Sequence, residues 1–203
     1  MPIGAVLTGD IVNFTLLPPS EGKKMIARLS SILDDYTFEF YRGDSFQVYI
    51  KDPIIALRVT LSLRAVAKHF HASGDVRTSI GIGEVNPPVR VLSKANSQAF
   101  ILSGRAFDEL AKSQLISIKS NNSNANIAFD VIAYFADFIL QNLTSKQAEV
   151  LIQLLEGKTQ QQTAKKLKKA QATINQMAKA AGWPELRQLI NEYERVITQF
   201  ELV

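Results

Sequence analysis

Two aspartates near the front of the chain, Asp10 and Asp44, have the type and setting for metal and phosphate chemistry. Each follows a glycine, Gly9 and Gly43. A pair of carboxylates offers the hard oxygen ligands that Mg²⁺ accepts while keeping coordination positions open for phosphate oxygens. The glycines allow a phosphate or metal to come close to the backbone, and Arg42 adds a cation beside the second pair. The far end of the chain suggests a different chemistry. Between residues 158 and 179 stand Lys158, Lys165, Lys166, Lys168, Lys169 and Lys179, with no acidic residue among them. Such a run suits a polyanionic backbone. Plainer roles exist for both sets: Asp10 ends a strand, Asp44 is a common hairpin residue, and a lysine face on a helical bundle is often only solvated.

The elements that must position these groups follow from hydrophobic spacing. Residues 4–13 read as a short buried strand ending in polar residues. A helix is expected from about Ser20 to Asp35, with Met25, Ile26, Leu29, Ile32 and Leu33 on one face. Residues 36–42 and 45–51 read as strands joined through Gly43 and Asp44. Pro53 opens a helix to about Phe70, and residues 76–85 form a central strand. The order strand, helix, hairpin, helix, strand predicts an α+β, ferredoxin-like sheet with both helices on one face. In that arrangement the hairpin turn lies near the end of the first strand, so Asp10 and Asp44 approach each other. Glu39 and Asp75 are expected to be solvated, and Glu84 is an outside candidate for a third ligand. A helix over residues 95–112, a strand pair over 115–129 around Asn121–Asn124, and a very apolar helix over 131–140 complete the first part.

From Thr144 the pattern is helical throughout. Thr144 and Gln147 form a capping box, Gly157 ends the first helix, and shorter helices follow over about 160–167 and 171–181. A last helix runs from about Glu185 to Phe200. The division expected is residues 1–129 as an α+β domain, 130–142 as a connecting helix and 143–203 as an all-α domain. Met177 and Trp183 read as core residues, and His69 and His71 as capping or surface residues at the end of a helix.

Several short motifs resemble known families. Asp10-Ile11-Val12-Asn13-Phe14-Thr15, Gly43-Asp44-Ser45-Phe46 and Arg77-Thr78-Ser79-Ile80-Gly81-Ile82-Gly83 resemble the palm-like core of class III nucleotidyl cyclases and diguanylate cyclases. Gly43-Asp44-Ser45-Phe46-Gln47, with the Gly9-Asp10 segment, most closely resembles the SatD family of small bacterial proteins. The resemblance covers roughly residues 4–112. It implies Asp10 and Asp44 as Mg²⁺ ligands, Gly9, Arg42, Gly43 and Lys112 as nucleotide contacts, a purine nucleotide as ligand and pairing into a homodimer. Asp108 stands where the cyclases carry an asparagine, and a carboxylate there repels substrate phosphate. Lys112 replaces an arginine and keeps the charge without its two-pronged geometry. These departures favour binding over turnover.

Residues 143–181 resemble the helix-turn-helix of sigma-factor region 4 and LuxR-type proteins: an opening Leu143-Thr144, Gln147-Ala148-Glu149-Val150-Leu151, Glu156-Gly157, then Thr163-Ala164 through Leu167. The resemblance implies that the helix after Ala170 recognises double-stranded DNA. Gln171, Thr173, Asn175, Gln176 and Lys179 suit base edges or phosphates, with Gln171, Thr173 and Gln176 the favoured base contacts.

Composition narrows the rest. The chain has 203 residues, no cysteine and two histidines, which removes thiolate chemistry, disulfides and cysteine-ligated metals. Residues 141–203 carry nine basic and six acidic residues against 14 and 13 before them, so the excess charge is concentrated in the tail. No apolar run approaches a membrane span, and no signal peptide pattern opens the chain; a cytoplasmic location is expected. The reading is a DNA-binding transcriptional regulator with a cyclase-like sensor or dimerisation domain. A metal-dependent nucleotide-processing enzyme and a non-catalytic scaffold are the alternatives.

Overall fold

A computed structural model describes residues 1–71, 73–111 and 113–203. Strand-forming runs build one five-stranded sheet from β1 (Ile3–Val12), β2 (Thr37–Tyr41), β3 (Ser45–Ile50), β4 (Asp75–Glu84) and β5 (Ile116–Ser120), in the order β2-β3-β1-β4-β5. The first four pair antiparallel, and β5 adds parallel to β4. The flanking helices are α1 (Pro19–Leu33), α2 (Ala56–Phe70), α3 (Gln98–Asp108) and α4 (Ser123–Leu140). A mostly helical region follows: α5 (Ser145–Leu155), α6 (Gln160–Leu167), α7 (Gln171–Ala180) and α8 (Trp183–Gln199).

Alternation along the strands assigns the two faces. Ala5, Leu7 and Ile11 of β1, with Val76, Ile80 and Ile82 of β4, join Met25 and Leu29 of α1 and Leu57 and Leu61 of α2 in the main core. Val6 points the other way and packs with Ala99 and Phe100 of α3. The two helices expected on one face, α1 and α2, share it, but α3 covers the other, which corrects the expectation of a sheet with helices on one face alone. The reason lies in β4, whose second face carries Ser79, Gly81 and Gly83. A Cβ on Gly81 would fall 2.3 Å from the Ala99 carbonyl oxygen and from the Ser103 nitrogen, so the backbone of α3 rests directly on that glycine. The buried hydroxyls beneath α3 are satisfied: Ser103 Oγ donates to Thr8 Oγ1 at 2.7 Å, and Ser79 Oγ to the Ser103 carbonyl at 2.7 Å.

The strand pair expected over 115–129 is a single strand followed by a helix. Asn122 caps that helix, its side chain accepting from the Asn124 and Ala125 amides. What reads as an asparagine-rich turn is an N-cap, because a short amide side chain serves either purpose. Residue 129 lies midway along α4.

One core runs from Ala5 to Leu202 through both halves of the chain. Tyr193 of α8, fully buried, donates its hydroxyl to the Pro53 carbonyl at 2.8 Å. Ser145 Oγ donates to the His69 carbonyl at 2.7 Å, and Lys68 Nζ to the Gln141 carbonyl at 3.1 Å. Within the sheet part, a buried charge network ties α2, β4 and α4 together. Arg64 of α2, 0% exposed, donates to both Asp75 oxygens at 2.8 and 3.0 Å and to Asp137 of α4. Lys68 stands 3.3 Å from Asp75, and Asp137 also accepts from the Leu115 and Ile116 amides. Two cations face two carboxylates, so no charge is buried uncompensated. Burial pushes the Asp137 carboxyl above its ordinary value, more than Arg64 and the two amides pull it down. Burial works against the Arg64 charge, but Asp75 and Asp137 together raise its pKa. Asp75, expected to be solvated, is 3% exposed.

Candidate functional site

In the helical region after α4, two helices open with capping boxes. Thr144 and Gln147 hold the start of α5, as their spacing predicts. Thr159 and Gln162 hold the start of α6 in the same way, with reciprocal bonds of 3.1 and 2.8 Å. That second box carries the same Thr-x-x-Gln signature and was legible in sequence. Gly157, at φ +83°, turns the chain out of α5. Lys168 does the same after α6 at φ 53°, and the Lys169 amide donates to the Ala164 carbonyl at 3.0 Å. A lysine in this left-handed conformation is unusual, since a Cβ disfavours it. It produces a three-residue turn, 168–170, before α7.

The inner faces of these helices form their own small core of Val150, Leu154, Ala164, Ile174 and Ala178, with Leu167, Met177 and Trp183 packed against it. Ile174 and Ala178 are buried one turn apart, which fixes the rotation of α7. Gln171, Thr173, Asn175, Gln176 and Lys179 are all exposed. Ala170 supplies no side-chain cap, and among the described residues no side chain accepts from the amides of the first turn of α7.

Two acidic residues that precede the lysine run, Glu149 of α5 and Glu156 just after its end, meet that run in space. Glu156 contacts Lys158 closely, lies 3.8 Å from Lys166 and also binds Arg28 of α1 at 3.1 Å. Glu149 lies 4.0 Å from Lys169. Burial pushes the Glu156 carboxyl up, but Lys158, Lys166 and Arg28 together outweigh it and hold the group below its ordinary value. Lys165, Lys168 and Lys179 have no ion-pair partner among the described residues.

At the front, register brings the backbones of the two aspartates to the same end of the β1–β3 pairing. Asp10 is opposite Ser45, and the Ile11 amide donates to the Asp44 carbonyl at 3.0 Å. Ser45 Oγ donates to Asp44 Oδ1 at 3.3 Å. The hairpin turn comprises Arg42, Gly43 and Asp44, with Arg42 at φ 55° and Gly43 at φ 91°. Gly43 stands in open space, whereas a Cβ on Gly9 would meet the Phe46 ring at 2.6 Å and the Arg77 carbonyl oxygen at 2.7 Å. Glycine at position 9 is thus required by packing within the sheet. Arg42 is exposed on the turn, and Lys112 lies outside the described residues.

Arg77, opposite Asp10 on β4, changes the electrostatics of this end. Its guanidinium reaches both Asp10 oxygens, Nη2 at 2.6 Å and Nε at 3.3 Å, and lies over the Phe107 ring of α3 at 4.7 Å. A divalent cation and Arg77 compete for the same carboxylate, so the residues as arranged do not present a free two-aspartate metal site. Sequence reasoning placed Arg77 in a resembling strand but assigned it no partner; the cross-strand register supplies one. Among the described residues, no cluster of three or more potential metal-ligating side chains is present, and no helix is long and apolar enough to cross a membrane. No protein-family model and no curated protein sequence matches the chain.

Proposed function

We propose that the chain is a DNA-binding regulator of SatD type, in which α7 enters the major groove of duplex DNA and the sheet domain serves as a sensor or dimerisation platform. The observation that carries this reading is the rotation of α7. Ile174 and Ala178 anchor it to the small core, and Gln171, Thr173, Asn175, Gln176 and Lys179 face solvent on a helix with no acidic residue. Amide side chains read adenine edges, and threonine serves either base or phosphate. Lys165, Lys168 and Lys179 supply phosphate contacts, and the amides opening α7 favour an anion. A homodimer provides the second recognition helix that one such module lacks.

The test is fluorescence anisotropy of the full chain with duplex DNA, first random in sequence and then selected for binding, across a salt series. Alanine at Lys165, Lys168 and Lys179 together lowers the log–log salt slope by up to about 2.7 units, at ~0.9 for each phosphate no longer neutralised. Gln176→Ala leaves that slope intact and reduces the preference for selected over random duplex. Absence of salt-dependent binding to any duplex refutes the reading.

A second reading concerns the front of the sheet. The antiparallel order β2-β3-β1-β4, reached through a strand–helix–hairpin–helix–strand path, has the connectivity of a ferredoxin-like palm. The pairing of Ile11 with Asp44 brings both aspartates to the same edge of that palm. We infer a purine nucleotide with Mg²⁺ as the ligand there, held by Asp10 and Asp44 once Arg77 withdraws. Calorimetry with ATP and GTP, with and without Mg²⁺, tests it against an Asp10→Asn, Asp44→Asn variant. Metal-dependent binding that the variant lacks supports the sensor, and product formation would make the protein an enzyme. No binding leaves the sheet as a non-catalytic platform.

A further inference from the structure

The helix α4 is apolar on two sides. Its inner side, Ala125, Phe129, Ile132, Ala133, Ala136 and Leu140, is buried against the core. Its outer side carries Ile127, Val131, Tyr134, Phe135 and Phe138, which are between 47% and 68% exposed. These positions recur at three- and four-residue intervals, so they form one continuous stripe about 16 Å long at 1.5 Å per residue. The other large exposed apolar side chains, including Leu16, Tyr41, Val91 and Ile101, are dispersed over other elements. Isolated exposed apolar residues are ordinary, whereas a contiguous stripe marks an interaction surface.

We propose that this stripe is the contact between two copies of the chain, packed with their α4 helices antiparallel across a two-fold axis between Val131 and Tyr134. Three features of the surface point to a second copy. The first is shape. Ile127, the most exposed residue of the stripe, projects at one end. At the other end is a hollow of about 510 Å³ lined by Leu115, Tyr134, Phe138 and Gln141, among others. A two-fold antiparallel pairing places each Ile127 at the other copy's hollow, the self-complementarity that an isologous contact requires.

The second feature is size matching. Antiparallel packing sets the aliphatic half of the stripe, Ile127 and Val131, against the aromatic half, Tyr134, Phe135 and Phe138. Parallel packing would instead stack each aromatic on its own copy. The third feature is area. With large side chains burying ~150–250 Å² each, five that are about half to two-thirds exposed offer on the order of 500 Å². Two copies then withdraw about 1,000 Å² from water, the size at which specific interfaces begin.

This assigns a surface to the homodimer of the proposed function and rests on that part of it alone, since the contact needs no DNA. The absence of cysteine from the chain makes the test direct. Sedimentation equilibrium of the full chain is expected to show twice the 22.5 kDa chain mass. Tyr134→Ser with Phe138→Glu, both at exposed positions, is expected to return the mass to that of one chain while the circular dichroism spectrum stays unchanged. Under mild oxidation, Val131→Cys cross-links two copies, as does a mixture of Ile127→Cys and Phe138→Cys chains. Ile127→Cys alone does not, because its two copies lie about 16 Å apart along the axis.

A wild-type chain that stays single at all concentrations overturns this inference and the homodimer together. A dimer that survives the Tyr134, Phe138 variant overturns only the assignment to α4. Cross-linking of Ile127→Cys to itself overturns the antiparallel arrangement. DNA binding is measured separately, so its presence or absence bears on the recognition helix and not on this contact.

Discussion

Replacing Arg64 with alanine tests the buried charge network that ties α2, β4 and α4 together. Arg64 is wholly buried and supplies two hydrogen bonds to Asp75 and one to Asp137. Its removal leaves two buried carboxylates with Lys68 as the one remaining cation of the network, 3.3 Å from Asp75 and donating also to the Gln141 carbonyl. Breaking a buried pair from one side costs ~3–5 kcal/mol, because a charge is left without compensation. About 4 kcal/mol is a large part of the ~5–15 kcal/mol that stabilises an ordinary domain. At ~2–4 °C per kcal/mol for a chain of this size, the melting temperature should fall by about 8–16 °C. Urea titration followed by circular dichroism measures the loss, and calorimetry checks the temperature shift. Arg64→Met combined with Asp75→Asn and Asp137→Asn should recover much of it, since the uncompensated charge is gone. Asp137→Asn alone should cost less than Arg64→Ala, because its side-chain oxygen still accepts from the Leu115 and Ile116 amides. A loss below about 1 kcal/mol for Arg64→Ala, the level of an exposed ion pair, would refute the reasoning.

Glu156→Gln frees Lys158 and Lys166 from a competing carboxylate, so the log–log salt slope of DNA binding should steepen by up to about 1.8 units. An unchanged slope in the anisotropy series would show that neither lysine reaches phosphate. The same residue sets an acid dependence. Its pKa is lowered on folding, so its stabilisation is present above the ordinary glutamate range and lost as pH falls through the depressed folded value. Asp137, raised mainly by burial, acts in the opposite sense: its contribution is present below the ordinary aspartate range and lost as pH rises through the raised value. Urea midpoints from about pH 3 to pH 7 should lose the first dependence in Glu156→Gln and the second in Asp137→Asn. Arg77→Ala releases both Asp10 oxygens and should tighten Mg²⁺-dependent nucleotide binding about fivefold, the equivalent of ~1 kcal/mol for a half-buried pair. Calorimetry showing equal affinity in the variant would remove Arg77 as a competitor.

Short windows of the sequence determined most of the elements. The apolar spacing in α1 and α2, the hairpin at Gly43-Asp44, the Thr144–Gln147 capping box and the stop at Gly157 each depend on residues a few positions apart. Local rotamer, backbone and capping preferences act over that same range. The inner side of α7 obeys the same short-range rule, since Ile174 and Ala178 stand one helical turn apart. The start of α4 was not legible, because Asn122 serves a turn and an N-cap equally until the chain beyond it has something to pack on.

Tertiary structure alone decided the remaining features. Arg64 meets Asp137 across 73 positions, Arg77 meets Asp10 across 67, and Arg28 meets Glu156 across 128. No local pattern encodes such pairs. The small residues of β4 are compatible with either an open face or a covered one, and only the path of the chain through α3 settles which. The outer stripe of α4 illustrates the same division. Sequence shows a very apolar helix over residues 131–140, and the fold shows which apolar residues the core consumes and which are left facing solvent, because burial is a property of the assembled chain rather than of any segment within it.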